Sequence, residues 1–226
     1  MTNITDYLLI GNTRLHWACN TNYSYKFSHT LINESLPEKI DLKKLIWASV
    51  GKYPTNNLLK KNQITLKDIN LKNMPNFIGI DRVLACFAAL RMIKNKLSKN
   101  LLIIDLGTTV SMTKIDYQGN LLGGQLLPGF MTQLKSMEQN TKNLVFPNKI
   151  FVPNNKFEIL TMNAMLRGVY NSITGAIDIS FDRTNDILIL CGGDANLIGK
   201  SLKKEIKNFI VEPNLVMYGM IFLNKK

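Results

Sequence analysis

Apolar and polar positions alternate in short runs through the first fifty residues, a pattern that is typical of β-strands. Turn-forming residues stand between the runs, at Gly11-Asn12-Thr13 and Asn20-Thr21-Asn22. For this part of the chain we predict strands at 7–10, 14–18, 23–30 and 45–50, and helices that begin near Pro37 and span 81–95. The pattern therefore passes from strands to a helix before residue 100.

The same succession begins again at residue 101 with a continuous apolar run, which indicates a buried strand. Strands are predicted at 101–106, 110–116, 121–127 and 187–191. Helices are predicted after Pro128-Gly129, at 161–180, through Ile198, Leu202 and Ile206, and through Leu215, Tyr218, Ile221 and Phe222. Strands that alternate with helices in this way indicate an α/β protein.

Two short segments at equivalent places in these halves resemble each other. Leu9-Ile10-Gly11-Asn12-Thr13 aligns with Asp105-Leu106-Gly107-Thr108-Thr109, and each runs from a strand through a Gly-Xaa-Thr turn into a returning strand. An internal repeat of this kind predicts two similar lobes, at residues 1–100 and 101–226. We expect the lobes to face each other across a cleft, and such a cleft is where small ligands commonly bind.

Composition narrows the class of protein. Of the 226 residues, 46% are hydrophobic and 19% are charged, a balance that excludes a disordered chain. No apolar run reaches the roughly 18 residues of a membrane span, and residues 1–10 lack the basic start and cleavage site of a signal peptide. The sequence therefore predicts a cytoplasmic protein with no membrane partner. Three cysteines and two histidines at wide spacing favour neither a disulfide framework nor a zinc site.

The net charge of +12 is compatible with a nucleic acid, a membrane surface or an anionic small molecule as partner. The lysines are scattered as pairs rather than gathered in blocks, and no aromatic residues are interleaved with them for base stacking. This distribution favours a solvated surface over a nucleic-acid partner.

The two glycine turns are candidates for phosphate binding. A tight glycine turn leaves backbone N–H groups pointing outward, and flanking threonine hydroxyls add donors that suit phosphate oxygens. One such turn is also compatible with an ordinary hairpin, whereas two equivalent turns could grip the β- and γ-phosphates of one nucleotide. Asp105 precedes the second turn, where a cation bound to those phosphates would need an oxygen ligand.

Two further motifs carry alternative interpretations. Asp81, in Gly79-Ile80-Asp81-Arg82, is either a helix cap or a base that accepts a proton from a substrate hydroxyl, with Arg82 recognising an anionic group of that substrate. Gly192-Gly193 is either a turn or a surface on which the flat face of an adenine lies against the backbone.

Six motifs in order carry a resemblance to a known family: G-N-T-R, G-I-D-R, D-L-G-T-T, G-G-Q-L-L-P-G, T-M-N-A-M-L-R-G and C-G-G-D. Together they resemble type III pantothenate kinase, also called the Bvg accessory factor family, from Leu8 to about Gly219. The resemblance implies the superfamily of acetate kinases, sugar kinases, heat-shock chaperones and actin. It also implies two ribonuclease H-like lobes, with mixed sheets flanked by helices and a cleft between them, and a homodimeric active form.

The resemblance also implies an activity and its residues. Such enzymes transfer the γ-phosphate of ATP to the hydroxyl of pantothenate to give 4'-phosphopantothenate, the first step of coenzyme A biosynthesis. By motif, Asp81 is the general base, Gly79, Ile80, Asp81 and Arg82 line the pantothenate site, and Thr161 contacts pantothenate across the dimer interface. Asp105 matches the ligand of a monovalent cation, K⁺ or NH₄⁺, and Mg²⁺ is expected with ATP. The implied ATP contacts are Gly11, Asn12, Thr13, Arg14, Gly107, Thr108, Thr109, Gly192 and Gly193.

This chain departs from the family pattern at two places. The usual first motif is D-x-G-N-T, and Leu9 stands at the acidic position. Asp6 is not a substitute, because three residues along a strand correspond to roughly 10 Å and the opposite face. The second departure is residues 73–77, which lack the tyrosine that often precedes G-x-D-R.

Two other functions remain as alternatives. A small sugar or acyl kinase would share the fold, although such chains are usually much longer. A catalytically weak or non-enzymatic regulatory protein that binds nucleotide or nucleic acid is favoured by Leu9 and by the charge of +12. Binding to nucleic acid would weaken steeply as the salt concentration rises.

Overall fold

The computed structural model describes residues 5–21, 24–32, 40–50, 58–93, 98–203 and 205–224. In chain order, the elements are β1 (Tyr7–Ile10), β2 (Arg14–Asn20), β3 (Tyr25–Leu31), β4 (Ile46–Ser49), two 3-10 turns (Lys60–Asn62 and Leu66–Asp68), α1 (Ile80–Met92), β5 (Asn100–Leu106), β6 (Thr109–Ile115), β7 (Leu121–Pro128), α2 (Phe130–Asn140), α3 (Thr161–Ser180), β8 (Asp186–Cys191), α4 (Ala195–Leu202), β9 (Ile210–Val211) and α5 (Leu215–Asn224). The helix predicted to begin near Pro37 lies outside the described residues.

The chain divides into two compact units, Met1–Arg91 together with Asn214–Lys226, and Met92–Pro213. The sequence predicted a boundary after residue 100, with the closing helix in the second lobe. In the structure, α5 instead packs on β1 and β2 of the first unit. An apolar helix carries no sign of which sheet it will cover, so this assignment depends on tertiary contacts. The predicted cleft between the lobes stays a prediction.

The first unit contains a four-stranded mixed sheet in the order β3-β2-β1-β4. Strand β1 is antiparallel to β2 and parallel to β4, and all four of its residues are buried. Successive side chains of a strand point to opposite faces of the sheet. One face forms a cluster of buried side chains: Leu8, Ile10, Leu15, Trp17, Leu45 and Trp47. Tyr7 and Leu9 therefore belong to the other face.

Helix α5 covers part of that other face. The Asn224 amide donates a hydrogen bond of 3.1 Å to the Tyr7 hydroxyl, and the rings of Phe27 and Tyr218 meet edge to face with centroids 5.2 Å apart. Asn214 directly precedes α5, and its carbonyl accepts a 3.0 Å hydrogen bond from the Tyr218 N–H. The aromatic contacts and the amide contact together hold α5 on the first sheet.

The second unit contains a five-stranded mixed sheet in the order β7-β6-β5-β8-β9. Strand β5 is antiparallel to β6 and parallel to β8. Leu102, Ile104 and Leu106 of β5 pack in one cluster with buried side chains of β6, β8, α2, α3 and α4. Asp105 lies on the opposite face, because it alternates with Ile104 and Leu106.

The two sheets share one topology. Taking strands in chain order, the first four strands of each sheet run third, second, first, fourth, and the first pairs antiparallel with the second and parallel with the fourth; the second sheet adds β9 beside β8. The predicted α/β fold with mixed sheets flanked by helices is confirmed. Among the residues that the structure describes, no helix combines the length and the hydropathy needed to cross a lipid bilayer.

Two local predictions differ from the structure. Helix α4 ends at Leu202, so Ile206 lies beyond it, although Ile206 is buried and its N–H donates a 2.8 Å hydrogen bond to the Leu202 carbonyl. Strand β9 was not predicted, because its two residues are too short for a periodic pattern. Both differences arise where packing, rather than local pattern, places the chain.

Candidate active site

The turn after β5 places Asp105 and three predicted ATP contacts within five residues. Asp105 is half-buried near the end of β5, opposite Ser111 of β6 and Cys191 of β8. Thr108 and Thr109 follow it and are exposed. The Asp105 carboxylate therefore belongs to a residue that stands two positions before Gly107 and close to two exposed threonines.

The start of α2 holds this turn from one side. The Gly129 N–H donates a hydrogen bond of 2.9 Å to the Thr108 carbonyl, and the Thr132 hydroxyl donates one of 2.6 Å to the same oxygen. A Cβ atom built on Gly129 would stand 2.7 Å from that carbonyl oxygen, which is closer than real side chains come. The Pro128-Gly129 pair therefore allows the helix to approach the backbone of the turn.

The segment between β8 and α4 holds the end of β5 from another side. Gly192 has a φ angle of +87°, and a Cβ atom there would stand 2.7 Å from the Leu106 carbonyl oxygen and would also overlap the Asp105 carboxylate. The Asp194 N–H donates a 3.0 Å hydrogen bond to the same Leu106 carbonyl. The structure thus brings Gly192 against Asp105, while the adjacent Gly193 is exposed.

The equivalent turn of the first unit has a tighter backbone. The Gly11 N–H donates a 2.9 Å hydrogen bond to the Arg14 carbonyl, and a Cβ atom on Gly11 would stand 2.9 Å from that same oxygen. The side chains of Asn12, Thr13 and Arg14 are exposed. This turn therefore presents a glycine backbone and polar side chains on the surface of the first unit.

Leu9 occupies in β1 the place that Asp105 occupies in β5, one residue before the last of the strand. It is 5% exposed and pairs with His16 of β2 and Ala48 of β4. The Asp6 carboxylate accepts a 2.9 Å hydrogen bond from the Asn20 N–H at the far end of the hairpin. The sequence argument that Asp6 does not replace an acid at position 9 agrees with this placement.

Asp81 lies in the first turn of α1, where it is half-buried. Its carboxylate Oδ1 accepts a 2.8 Å hydrogen bond from the Arg82 N–H. Burial raises the pKa of the Asp81 carboxyl, and the hydrogen bond and charge of Arg82 offset only part of this effect. A carboxylate whose pKa is raised toward neutrality is a better proton acceptor for an alcohol than an exposed one.

A cavity of about 330 Å³ adjoins the start of α1. Gly79 and Ile80 line it together with Phe77, Thr65 and Ser49. Two of the four residues predicted to line the substrate site thus face one cavity, and the other two, Asp81 and Arg82, follow directly in α1.

Thr161 is the first residue of α3 and is exposed. Large apolar side chains flank it: Phe157 is 93% exposed, Ile159 fully exposed and Leu160 65% exposed. A patch of this kind on a folded protein commonly marks a contact with another protein. We call residues 157–162 the α3 apolar patch.

The donor set for a cation is small. Among the described residues, no group of three or more His, Cys, Asp or Glu side chains is placed to hold a metal ion. Mg²⁺ that accompanies a nucleotide typically uses one or two carboxylates and the phosphate oxygens, so a single carboxylate at Asp105 fits such an ion. The residues present fit a phosphate-bound cation and do not form a complete protein cage.

One pair of side chains was missed by sequence reasoning. His16 and His29 are opposite each other on β2 and β3, with Nδ1 atoms 2.9 Å apart. The sequence shows two histidines on either side of a predicted turn. It does not give the strand register that pairs them, so their contact could not be predicted.

A sequence model of the family described as type III pantothenate kinase matches residues 52–183, more than half of the chain. The chain belongs to the type III pantothenate kinase family. A type III pantothenate kinase of Nostoc sp. is 31% identical over 258 aligned positions, which cover 94% of this chain and 91% of the relative. The predicted family is confirmed.

Solved structures show the same fold at low identity. A Baf family transcriptional activator from Campylobacter jejuni has a TM-score of 0.68 at 19% identity, with 97% of each chain covered. The activator of 2-hydroxyisocaproyl-CoA dehydratase from Clostridium difficile, solved with bound ADPNP, has a TM-score of 0.53 at 15% identity, with 96% of this chain and 92% of that chain covered. Both likenesses cover at least 96% of this member of the type III pantothenate kinase family and support the predicted fold class.

The free energy of unfolding tests the close packing of Gly192 against Asp105 and its neighbours. We expect Gly192→Ala to lower the free energy of unfolding by about 1–3 kcal/mol, because the new methyl group meets the Leu106 carbonyl and requires a φ of +87°. Gly193→Ala is the matched control, since no heavy atom lies within 4 Å of its Cβ position. Urea denaturation of both variants measures the difference; equal stabilities would contradict the close packing of Gly192.

Proposed function

We propose that this chain is an ATP-dependent kinase that transfers the γ-phosphate of ATP to the hydroxyl of pantothenate, the first step of coenzyme A biosynthesis. The observation that carries the proposal is the half-buried Asp81 carboxylate with a raised pKa, directly after two residues that line a cavity. Membership of the type III pantothenate kinase family supports the same substrate pair. The cytoplasm is the proposed location of the reaction.

The nucleotide contacts proposed here are the two glycine turns and the Gly192-Gly193 segment. In the second unit, Gly107, Thr108 and Thr109 offer N–H and hydroxyl donors to phosphate oxygens, and contacts from Gly129, Thr132 and Asp194 support the backbone around them. In the first unit, the corresponding donors are on Asn12, Thr13 and Arg14, while Gly11, whose N–H is bonded to the Arg14 carbonyl, is proposed to let a phosphate approach the backbone of the turn. Donors fixed in advance lose little entropy when a phosphate binds, which strengthens binding.

Asp105 is the proposed ligand of the cation that accompanies the phosphates. A half-buried carboxylate beside the turn would hold K⁺ or NH₄⁺ and contribute to the coordination of Mg²⁺. When bound, the cation supplies positive charge against the negative charge of the phosphate oxygens. The chain's own part is to hold the Asp105 side chain in place through the packing of Gly192.

Asp81 is the proposed general base. As the hydroxyl oxygen of pantothenate bonds to the γ-phosphorus, the bond from that phosphorus to the bridging oxygen of ADP breaks, and the hydroxyl proton passes to the Asp81 carboxylate. Phosphoryl transfer depends mainly on alignment and charge neutralisation, so one modest base suffices. Gly79 and Ile80 shape the cavity, and the Arg82 guanidinium is the proposed partner of the carboxylate of pantothenate.

A homodimer is the proposed active form, with Thr161 contacting pantothenate bound to the partner subunit. The α3 apolar patch supports this proposal, because a second copy of the chain would bury side chains that are otherwise in water. Thr161 lies within this patch, so its hydroxyl would be close to the interface.

Removing the base tests the reaction. We expect Asp81→Asn to lower kcat by about 10²- to 10⁴-fold while the affinity for ATP stays within about twofold, because an amide accepts no proton and Asp81 is not a nucleotide contact. The raised pKa places the acid limb of the wild-type kcat/KM profile above pH 3.8, since the carboxyl must be ionised to act. Coupled detection of ADP release in the presence of pantothenate gives kcat, and its dependence on the ATP concentration follows the affinity for ATP. Asp41→Asn removes an exposed acid of the same unit as control, and unchanged turnover in Asp81→Asn would reject the assignment.

The cation proposal has a separate test. Asp105→Asn should abolish the dependence of the rate on K⁺ or NH₄⁺ and reduce turnover by about 10²-fold or more, because the charge that holds the cation is lost. Rates are measured across a series of KCl concentrations with tetramethylammonium chloride keeping the ionic strength constant. The control variant Asp178→Asn removes an exposed acid of the same unit and should respond to K⁺ as wild type does. A preserved K⁺ response in Asp105→Asn would exclude this residue as the ligand.

The dimer proposal is tested at the α3 apolar patch. We expect Ile159→Glu to shift sedimentation from dimer to monomer, since a charge would be buried without a partner. Tyr117→Glu places the same charge on an exposed turn residue and should leave the mass unchanged. A wild-type protein that sediments as a monomer at micromolar concentration would contradict the proposal.

A further inference from the structure

A short segment that begins at Gln63 runs beside β4 and lines the cavity next to α1. Gln63 forms an isolated parallel bridge with Trp47, and the Ile64 N–H donates a hydrogen bond of 2.7 Å to the Trp47 carbonyl. The segment lines the cavity together with residues 49–50, at the end of β4, and residues 77–80, at the start of α1. The backbone of Gln63 is therefore anchored to the edge of the first sheet.

The same cavity adjoins the Asp81 carboxylate. A Cβ atom built on Gly79, one of the lining residues, would stand 2.5 Å from Oδ1 of Asp81. That carboxylate oxygen therefore lies against the Gly79 backbone. A substrate whose hydroxyl reaches Asp81 has the rest of its atoms next to this cavity.

Apolar side chains dominate the lining of the cavity. Its volume of about 330 Å³ is within the range of small-ligand sites, roughly 300–1,000 Å³, which combine apolar walls with a few polar groups that fix the orientation of the ligand. The polar side chains of this lining are those of Ser49, Gln63 and Thr65. The apolar residues are Val50, Ile64, Leu66, Phe77, Ile78 and Ile80.

Gln63 differs from the other two polar residues of the lining. The Thr65 hydroxyl donates a hydrogen bond of 2.8 Å to the Asp68 carboxylate, and Ser49 also has an interaction partner. The Gln63 side chain is half-buried, and within the described part of the chain its amide has no hydrogen-bond partner. A ligand that displaces water from such an amide loses affinity unless it replaces the lost hydrogen bond. The amide therefore favours a ligand with a complementary polar group.

We propose that the side-chain oxygen Oε1 of Gln63 accepts a hydrogen bond from the amide N–H of pantothenate, and that Gln63 is a specificity-determining residue of the substrate cavity. The inference rests on the proposed function, because it takes the cavity beside Asp81 as the pantothenate site. Gln63 lies outside the six motifs of the sequence, so it adds a substrate contact that the motifs do not contain.

The groups of pantothenate match this lining. Its reacting hydroxyl belongs at Asp81, and its carboxylate is assigned to Arg82. Between these ends are a carbon with two methyl groups, a second hydroxyl and a secondary amide. The methyl groups suit the apolar side chains, whereas the amide needs polar partners.

The geometry of a secondary amide decides which of its groups Gln63 engages. Its N–H and carbonyl point to opposite sides of a planar trans bond, so one glutamine pairs with one of them. A carbonyl oxygen tolerates incomplete pairing better than an N–H does, because it has two lone pairs and the N–H has a single hydrogen. The N–H is therefore the group that most needs an acceptor in an apolar cavity, and Oε1 of Gln63 is an acceptor in its lining.

The variant Gln63→Met tests this contact, because methionine keeps the length and unbranched shape of glutamine and removes the acceptor oxygen. We expect the Kd of pantothenate to rise about three- to tenfold, the usual effect of one neutral hydrogen bond, while the Kd of ATP stays within about twofold. Calorimetric titration measures both, with pantothenate added to protein saturated with a non-hydrolysable ATP analogue. Gln118→Met removes an exposed amide from the turn after β6 and should bind pantothenate as wild type does.

Two substrate analogues identify the group that Gln63 meets. The ester in which oxygen replaces the amide nitrogen of pantothenate has no N–H, so wild type should bind it about three- to tenfold more weakly than the amide. Gln63→Met should not retain this preference. Pantothenol keeps the amide and has an alcohol in place of the carboxylate, so Gln63→Met should weaken its binding by the same factor as that of pantothenate.

The outcomes distinguish this inference from the proposed function. A wild-type protein that phosphorylates pantothenate but binds amide and ester equally would reject the Gln63 contact alone, and this comparison needs no variant. A loss in Gln63→Met that spares pantothenol would assign Gln63 to the carboxylate, and a loss that extends equally to ATP would show a structural role; either result overturns the amide contact. A wild-type protein that prefers the amide to the ester but transfers no phosphate would reject the proposed reaction and leave the contact standing.

Discussion

The arrangement at the end of β5 depends on backbone packing that admits no side chain at two positions. Gly129 approaches the Thr108 carbonyl, and Gly192 approaches the Leu106 carbonyl and the Asp105 carboxylate. These contacts join a turn, the start of α2 and the segment before α4, so the backbone of the turn and the Asp105 carboxylate are held in place. Preorganisation of this kind is what electrostatic catalysis of phosphoryl transfer requires.

The two units show how one topology can carry different chemistry. The first four strands of both sheets have the same order, with a glycine turn after the first strand and a parallel fourth strand beside it. At the position before the end of that first strand, one unit has Asp105 and the other has Leu9. The neighbouring residue differs too, Ser111 in one unit and His16 in the other, so equivalent backbones carry different side chains at this place.

Long periodic segments were predicted well because their patterns are local. The helix at 161–180 coincides with α3, and the strands around both glycine turns are within a few residues of their predicted ends. The candidate site was predicted as separate motifs, and the structure brings together Asp105, Gly107, Thr108 and Gly192 within one unit. The supporting contacts of Gly129 and Asp194 and the pairing of His16 with His29 were not predicted, because each joins segments whose register is set only by folding.

The amino-acid sequence by itself determined the alternation of strands and helices, the duplicated glycine turns, the place of Asp81 at a helix start and the family. Each of these features depends on the order of residues within a short segment, because propensity, capping and side-chain periodicity are local effects. The tertiary structure alone decided that α5 packs on the first sheet, that burial raises the pKa of Asp81, and that His16 lies between His29 and the Gly11 turn. Such facts depend on which distant segments pack together, because burial and hydrogen-bond partners exist only once loops have closed and hydrophobic faces have been covered.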